Sequence, residues 1–182
     1  MISRLGFLTK GSSTLLQNEF DVGLVRKWFD EIDAANGIGE ELYLAISQLT
    51  PSINVDLIVK SDNGKRTLLT WRDDHYYGPG WHVPGGVIRF KEKLLDRVHK
   101  VANKELKREL SSVDGPVGFH EMFNQTRDVR GHFISFVYEV KLSAPLAEGQ
   151  IAGALPRNGQ CRWFEACPEN LIPNQSALRR YI

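Results

Sequence analysis

The stretch Trp81-His82-Val83-Pro84-Gly85-Gly86-Val87-Ile88-Arg89-Phe90-Lys91-Glu92 constrains the fold more than any other part of the chain. A short apolar strand runs into a Pro-Gly-Gly turn, and a carboxylate follows at a fixed spacing. Glu92 to Leu110 then contains no Gly or Pro and is rich in good helix formers, which predicts one long helix. With residues about 100° apart around its axis, Leu94, Leu95, Val98, Val101, Ala102, Leu106 and Leu110 share one side. Lys93, Asp96, Arg97, Lys100, Asn103, Lys104, Lys107 and Arg108 fall on the other. Glu105 breaks the rule, because it points between Leu94 and Val98, and Glu109 follows one turn later. A buried carboxylate is costly unless it is paired, hydrogen-bonded or metal-bound. One reading is an ion pair from Glu105 to a neighbouring Arg. The other is a metal ligand. Gly85-Gly86 favours the second, since bare backbone just before the helix lets a carbonyl approach a metal and amides approach a phosphate.

The remaining elements surround that helix. Phe20 to Ala35 reads as an amphipathic helix stopped by Asn36-Gly37, and Glu40 to Leu49 as a second helix ended by Pro51. Asn54 to Lys60 and Arg66 to Arg72 read as strands joined by the hairpin signal Ser61-Asp62-Asn63-Gly64. Trp81 to Val83 is a short strand. Val117 to Arg127 and His132 to Leu142 form a hairpin around Asp128-Val129-Arg130-Gly131. A Gly-, Ala- and Pro-rich loop spans Ser143 to Gln160, followed by a strand from Cys161 to Glu165 and a last helix from Asn174 to Ile182. Strands on both sides of one long helix predict an α/β protein, an α/β/α sandwich with a mixed sheet. Residues 1–38 read as an N-terminal helical extension that packs on the domain or makes a homodimer contact, and 39–182 as the domain proper.

These motifs resemble the Nudix hydrolases, whose box reads G-x5-E-x7-R-E-U-x-E-E-x-G-U, with U an aliphatic residue. Gly86 and Glu92 match G-x5-E, and Glu105 matches the second of the paired Glu. Lys100 stands for the Arg, Val101 for the next Glu, Lys104 for the first paired Glu and Lys107 for the late Gly. The departures are similar to the divergent box of the GDP-mannose mannosyl hydrolase branch. Leu49-Thr50-Pro51 to Val59, Trp71-Arg72, Gly80-Trp81-His82-Val83-Pro84-Gly85-Gly86, His132-Phe133, Arg162-Trp163 and Asn174 resemble that branch's motifs in the same order. The resemblance covers residues 40–182.

The resemblance implies a Nudix-type α/β/α fold and Mg2+-dependent hydrolysis of a nucleoside diphosphate sugar, with Mn2+ as an alternative ion. It implies water attack on the sugar's anomeric carbon, releasing sugar and nucleoside diphosphate. The implied metal ligands are Glu105 and a carbonyl of Gly85 or Gly86. Arg72, with Arg89 or Lys100, would contact phosphate, because a guanidinium matches phosphate geometry. Asp56 matches a substrate-contacting position, and a hydrogen-bonded structural role is the alternative. Aligned without gaps, the branch's loop metal ligand falls on Arg157 and its general base on Asn158. Gln160 would supply the ligand if the loop shifts, and His132 or His120 the base. Glu92 reads as a tie for the Gly-Gly turn or the helix start.

Net charge of +1 over 182 residues gives no reason to expect nucleic acid or a membrane as partner. Cys161 and Cys167, without metal-type spacing, read as free thiols in a reducing compartment, and the N-terminus lacks a signal-peptide core, so the expectation is a cytoplasmic protein. Two classes of function remain: a nucleotide-sugar hydrolase, or a Nudix domain that kept its pocket but lost turnover. Val101, Lys104, Lys107 and Asn158 favour the second.

Overall fold

The computed structural model describes residues 21–182, and the chain divides into two compact units after Ile38. Residues 1–20, including Phe20 of the expected first helix, lie outside the described residues. In the first unit the helix is shorter than its periodicity predicts. It runs as α1, Val22–Asp30, and Asp21 caps it by accepting from the Leu24 amide at 3.1 Å.

The second unit, Gly39–Ile182, starts with α2, Glu40–Ile46. Its strands are β1 (Ser52–Lys60), β2 (Thr67–Arg72), β3 (Gly80–His82), β4 (Gly85–Val87), β5 (Leu110–Phe123), β6 (His132–Leu142) and β7 (Cys161–Phe164). Among the described residues they form one mixed sheet with the main path β3-β2-β1-β6-β5. β1 and β6 run parallel over Ser52–Val59, and the other strand pairs are antiparallel. One edge of β1 is shared: its end, Val59–Lys60, pairs with β2, and Asn54–Asp56 pair with β4. The Pro84 carbonyl accepts from the Leu57 amide at 2.8 Å where the two partners meet. The Pro-Gly-Gly turn is thereby pinned to the centre of the sheet.

Alternation along the strands builds two cores. On one face Val55, Leu57, Val59, Leu68, Tyr138 and Val140 pack with Val98, Val101, Ala102 and Leu106 of the central helix. On the other, Ile58, Leu69, Val137, Phe133 and Val83 pack with Leu171 and Leu178. The sandwich expected from the sequence is present, with helical layers on both faces of a mixed sheet.

The structure corrects several details. The central helix is not one α-helix from Glu92. It comprises α3, Leu94–Val101, and a wider π-helical turn, Ala102–Leu106, closed by Lys107 in the left-handed region at φ 54°. Leu110 therefore belongs to β5, and Leu95 is exposed. Arg97, expected on the solvent side, is buried because Glu92 folds back from the preceding turn to pair with it. β5 begins before the Gly115-Pro116 break, since a register shift between Asp114 and Gly118 absorbs the residue without an N–H. The final helix is a 3-10 segment, Pro173–Tyr181, kinked at Gln175. No helix among the described residues is long and apolar enough to cross a membrane.

Candidate functional site

A cavity of about 150 Å3 opens where β1, β4, the π turn and the C-terminal segment converge. Asp56, Arg72, Gly85, Gly86 and Glu105 all line it. So do Asn54, Tyr77, His82, Arg130, Asn174 and Gln175. The volume suits a cation, waters and the reacting part of a substrate rather than a whole nucleotide.

Asp56 is 2% exposed at the cavity floor. It faces away from Leu57 by strand alternation and accepts hydrogen bonds from the Ser135 hydroxyl and, at 3.3 Å, the Gln175 amide. Burial dominates its titration and lifts its pKa to about 6, with nearby Glu105 adding to the rise; Ser135, His82 and Gln175 oppose it. Gln175 also clamps the start of the Pro-Gly-Gly turn. Its Oε1 accepts from the Val83 amide at 2.6 Å, and its Nε2 donates to the Val83 carbonyl at 3.0 Å. Behind the turn, Gly85 lies so close to β1 that a Cβ would strike Asp56 Oδ1 and stand 2.9 Å from the Val55 carbonyl oxygen. A Cβ on Gly86 would meet Val101 Cγ2 at 2.8 Å. Both glycines are required by close approach.

Glu105 reaches the cavity from the π turn, and its Oε2 lies 3.7 Å from His82 Nε2. Arg72, at the end of β2, donates through Nε to Asp74 Oδ2 at 2.6 Å and lies over the Tyr77 ring, 4.7 Å from its centroid. Arg130, in the left-handed region of the β5–β6 turn, stacks on Tyr76 at 4.9 Å and on Tyr77 at 5.5 Å. Its Nε is buried without a hydrogen-bond partner, as is Oδ1 of Asn54.

Five other sequence candidates stand elsewhere. His132 pairs through Nε2 with Glu121 Oε1 at 2.9 Å, and His120 with the Tyr181 hydroxyl at 2.9 Å. Neither lines the cavity. Burial, then the charge of Arg180, lowers the pKa of His120. Gln160 is held by its own loop, Oε1 accepting from the Arg157 amide at 2.9 Å and Nε2 donating to the Gly149 carbonyl at 3.3 Å. Arg89 and Lys100 line a separate surface hollow with Arg97 and Lys104. Lys100 is held there by Glu92, Nζ to Oε1 at 2.8 Å. Glu92 also accepts from the Arg89 amide at 3.0 Å and from Arg97 Nε at 2.7 Å. Burial opposes its ionisation, but these donors outweigh that and hold its pKa at about 2.

His82, Asn54, Arg130 and Gln175 also line the cavity without a sequence signal that assigns them to it. His82 was visible beside the turn. Nothing in local spacing shows that the β5–β6 turn or the C-terminal segment returns to it.

The donor set suits a hard divalent cation. Glu105 offers a carboxylate, the orphaned Asn54 oxygen a neutral donor, and the glycine turn a close backbone. Among the described residues no three His, Cys, Asp or Glu side chains cluster tightly enough to form a protein-only cage. Magnesium is commonly held by one or two carboxylates together with waters and substrate phosphates.

No family model matches the chain. The low-salt glycan biosynthesis protein Agl8 of Haloferax volcanii is 31% identical over 149 residues, covering 80% of this chain and 88% of that protein. In structure, a MutT Nudix hydrolase from Burkholderia pseudomallei superposes with a TM-score of 0.56 at 18% identity, over 73% of this chain and 98% of the other. A possible asymmetric diadenosine tetraphosphate hydrolase from Jonesia denitrificans gives 0.55 at 17% identity, over 73% and 92%. With its Pro-Gly-Gly turn, its helix carrying Glu105 and this shared sheet, the chain belongs to the Nudix hydrolase superfamily.

Proposed function

We propose that the protein is a divalent-metal-dependent hydrolase of a nucleoside diphosphate sugar, GDP-mannose-like, releasing sugar and nucleoside diphosphate. The observation that carries this reading is the meeting of Glu105, the Gly85-Gly86 backbone and Arg72 in one cavity. The charges support it. Arg72 and Arg130 balance Asp56 and Glu105 when both carboxylates are ionised, so the lining supplies no net attraction for a pyrophosphate. A dianion enters such a pocket only with a compensating cation. Glu105 and a carbonyl of Gly85 or Gly86 would hold Mg2+ or Mn2+, which when bound supplies charge neutralisation on the leaving diphosphate.

The chain's own groups do the rest. Arg72 is held by Asp74 and stacked on Tyr77, so its guanidinium is oriented before a phosphate arrives. Arg130 offers a buried Nε that lacks a partner until an anion arrives. Asp56, fixed by Ser135 and Gln175, presents to a sugar hydroxyl a carboxyl whose pKa is raised to about 6 and which is mostly ionised at neutral pH. Water would attack the anomeric carbon as the glycosyl C–O bond breaks, and the diphosphate leaves with the bridging oxygen. Agl8's description as a glycan biosynthesis protein fits an activated-sugar substrate. Two free cysteines are compatible with a reducing compartment, and a cytoplasmic location is part of this proposal.

A second reading, a ligand-binding domain without turnover, is favoured by the buried Val101 and by Lys104, where most Nudix boxes carry glutamates. A panel of nucleotide sugars with Mg2+ or Mn2+ in 18O-water separates the readings. Release of reducing sugar carrying the label supports the proposal. Label in phosphate would move attack to phosphorus, and ligand binding without turnover would establish the second reading.

A further inference from the structure

We infer that His82 is a nitrogen ligand of the divalent cation, so that the site prefers Mn2+ or Co2+ over Mg2+. This rests on the metal site just proposed and goes beyond it by naming a ligand and an ion class. His82 sits at the end of β3, opposite Thr70 of β2. Its Nδ1 lies 2.8 Å from the Thr70 carbonyl oxygen. A carbonyl only accepts, so Nδ1 carries the hydrogen, and it is Nε2 whose lone pair is left for a cation in the neutral tautomer. A backbone carbonyl on the far nitrogen is the arrangement that orients metal-bound histidines.

Nε2 faces Glu105 Oε2 across 3.7 Å. That gap exceeds the roughly 2.7–3.2 Å of a hydrogen bond. It falls within the range of about 3.0 Å (adjacent) to 4.2 Å (opposite) that separates two ligands each about 2.1 Å from one ion. The two side chains are 12% and 24% exposed, which leaves the imidazole little freedom to turn elsewhere. The remaining donors of the cavity are oxygens: Glu105, the unpartnered Oδ1 of Asn54 and the glycine backbone. One nitrogen among oxygens shifts preference from magnesium toward manganese and cobalt, because imidazole suits the transition ions better than Mg2+.

The test is pulsed electron paramagnetic resonance of Mn2+ bound to the full chain without substrate. The expected spectrum shows directly coordinated imidazole nitrogen, and labelling histidine with 15N shifts it. His82→Phe removes the coupling and weakens Mn2+ binding by about 10- to 100-fold, while Mg2+ binding, read by competition, changes less than about threefold. Bound Mn2+ without nitrogen coupling overturns the inference, as does a His82→Phe variant with unchanged Mn2+ affinity. Failure of Mn2+ to bind the wild-type chain overturns it too. The labelled wild-type spectrum decides the matter even if the variant does not fold. Because substrate is absent, nitrogen coordination without sugar release counts against the hydrolase proposal alone, and sugar release without nitrogen coordination against this inference alone.

Discussion

Glu92→Gln separates a structural carboxylate from a catalytic one. Glu92 is 6% exposed at its side chain and receives Arg97, Lys100 and the Arg89 amide. Its pKa is lowered from 4.5 to about 2. At about 1.36 kcal/mol per unit this corresponds to roughly 3 kcal/mol of folding stability. Lys100 is 58% exposed, and its share is discounted for solvent screening. Arg97, only 10% exposed at its side chain, adds a cost when its partner becomes neutral. The net expectation is a loss of about 2–3 kcal/mol, or roughly 4–12 °C in melting temperature for a chain of this size. The sign with pH follows from a depressed folded-state value. The stabilisation is fully present above about pH 4.5 and is lost as pH falls through about 2. Thermal unfolding of wild type and variant at pH 7 and at pH 2.5 therefore gives a gap that narrows in acid. Glu92 does not line the cavity, so kcat at 25 °C should fall by less than about tenfold. An unchanged melting temperature together with a collapse in kcat would refute this reasoning and move Glu92 into the chemistry.

Asp56→Asn should stabilise the fold at pH 8 by about 1–2 kcal/mol and give no gain below pH 4, since a raised carboxyl pKa withdraws stability as pH rises through about 6; urea melts at the two pH values check this. Gly85→Ala should cost about 1–3 kcal/mol by overpacking against Asp56 and the Val55 carbonyl, read as a lower urea midpoint, and equal stability would show that the turn is looser than it stands. Arg130→Met should keep the stack on Tyr76 and Tyr77 yet weaken nucleoside diphosphate binding by about tenfold or more in calorimetry, with a reduced salt dependence; unchanged affinity would remove Arg130 from phosphate recognition.

The sheet and the helix were legible because their signals are local. Val55, Leu57 and Val59 alternate, Val98, Val101 and Ala102 repeat with helical spacing, and Gly85-Gly86 announces a close backbone approach. The cavity was only partly legible. Glu105 stood out as a carboxylate among apolar neighbours, and it does reach the cavity with Arg72 and Asp56. His132 has the chemistry of a base and Gln160 stands three residues along the loop from the expected ligand position, but Glu121 and the loop backbone hold them elsewhere. Arg130 and Gln175 are long-range arrivals: one rides a turn between β5 and β6, the other a kink in the C-terminal segment. Arg97 misled the helical wheel, because a wheel assigns charge to solvent and cannot see an incoming partner such as Glu92.

The most direct measurement is divalent-ion-dependent release of reducing sugar from a nucleoside diphosphate sugar by wild type and Glu105→Gln, with fold integrity checked by thermal unfolding. The account predicts turnover by the wild type, abolished by chelation, and a loss of at least about a hundredfold in the variant without loss of fold. Full metal-dependent activity in Glu105→Gln would contradict it.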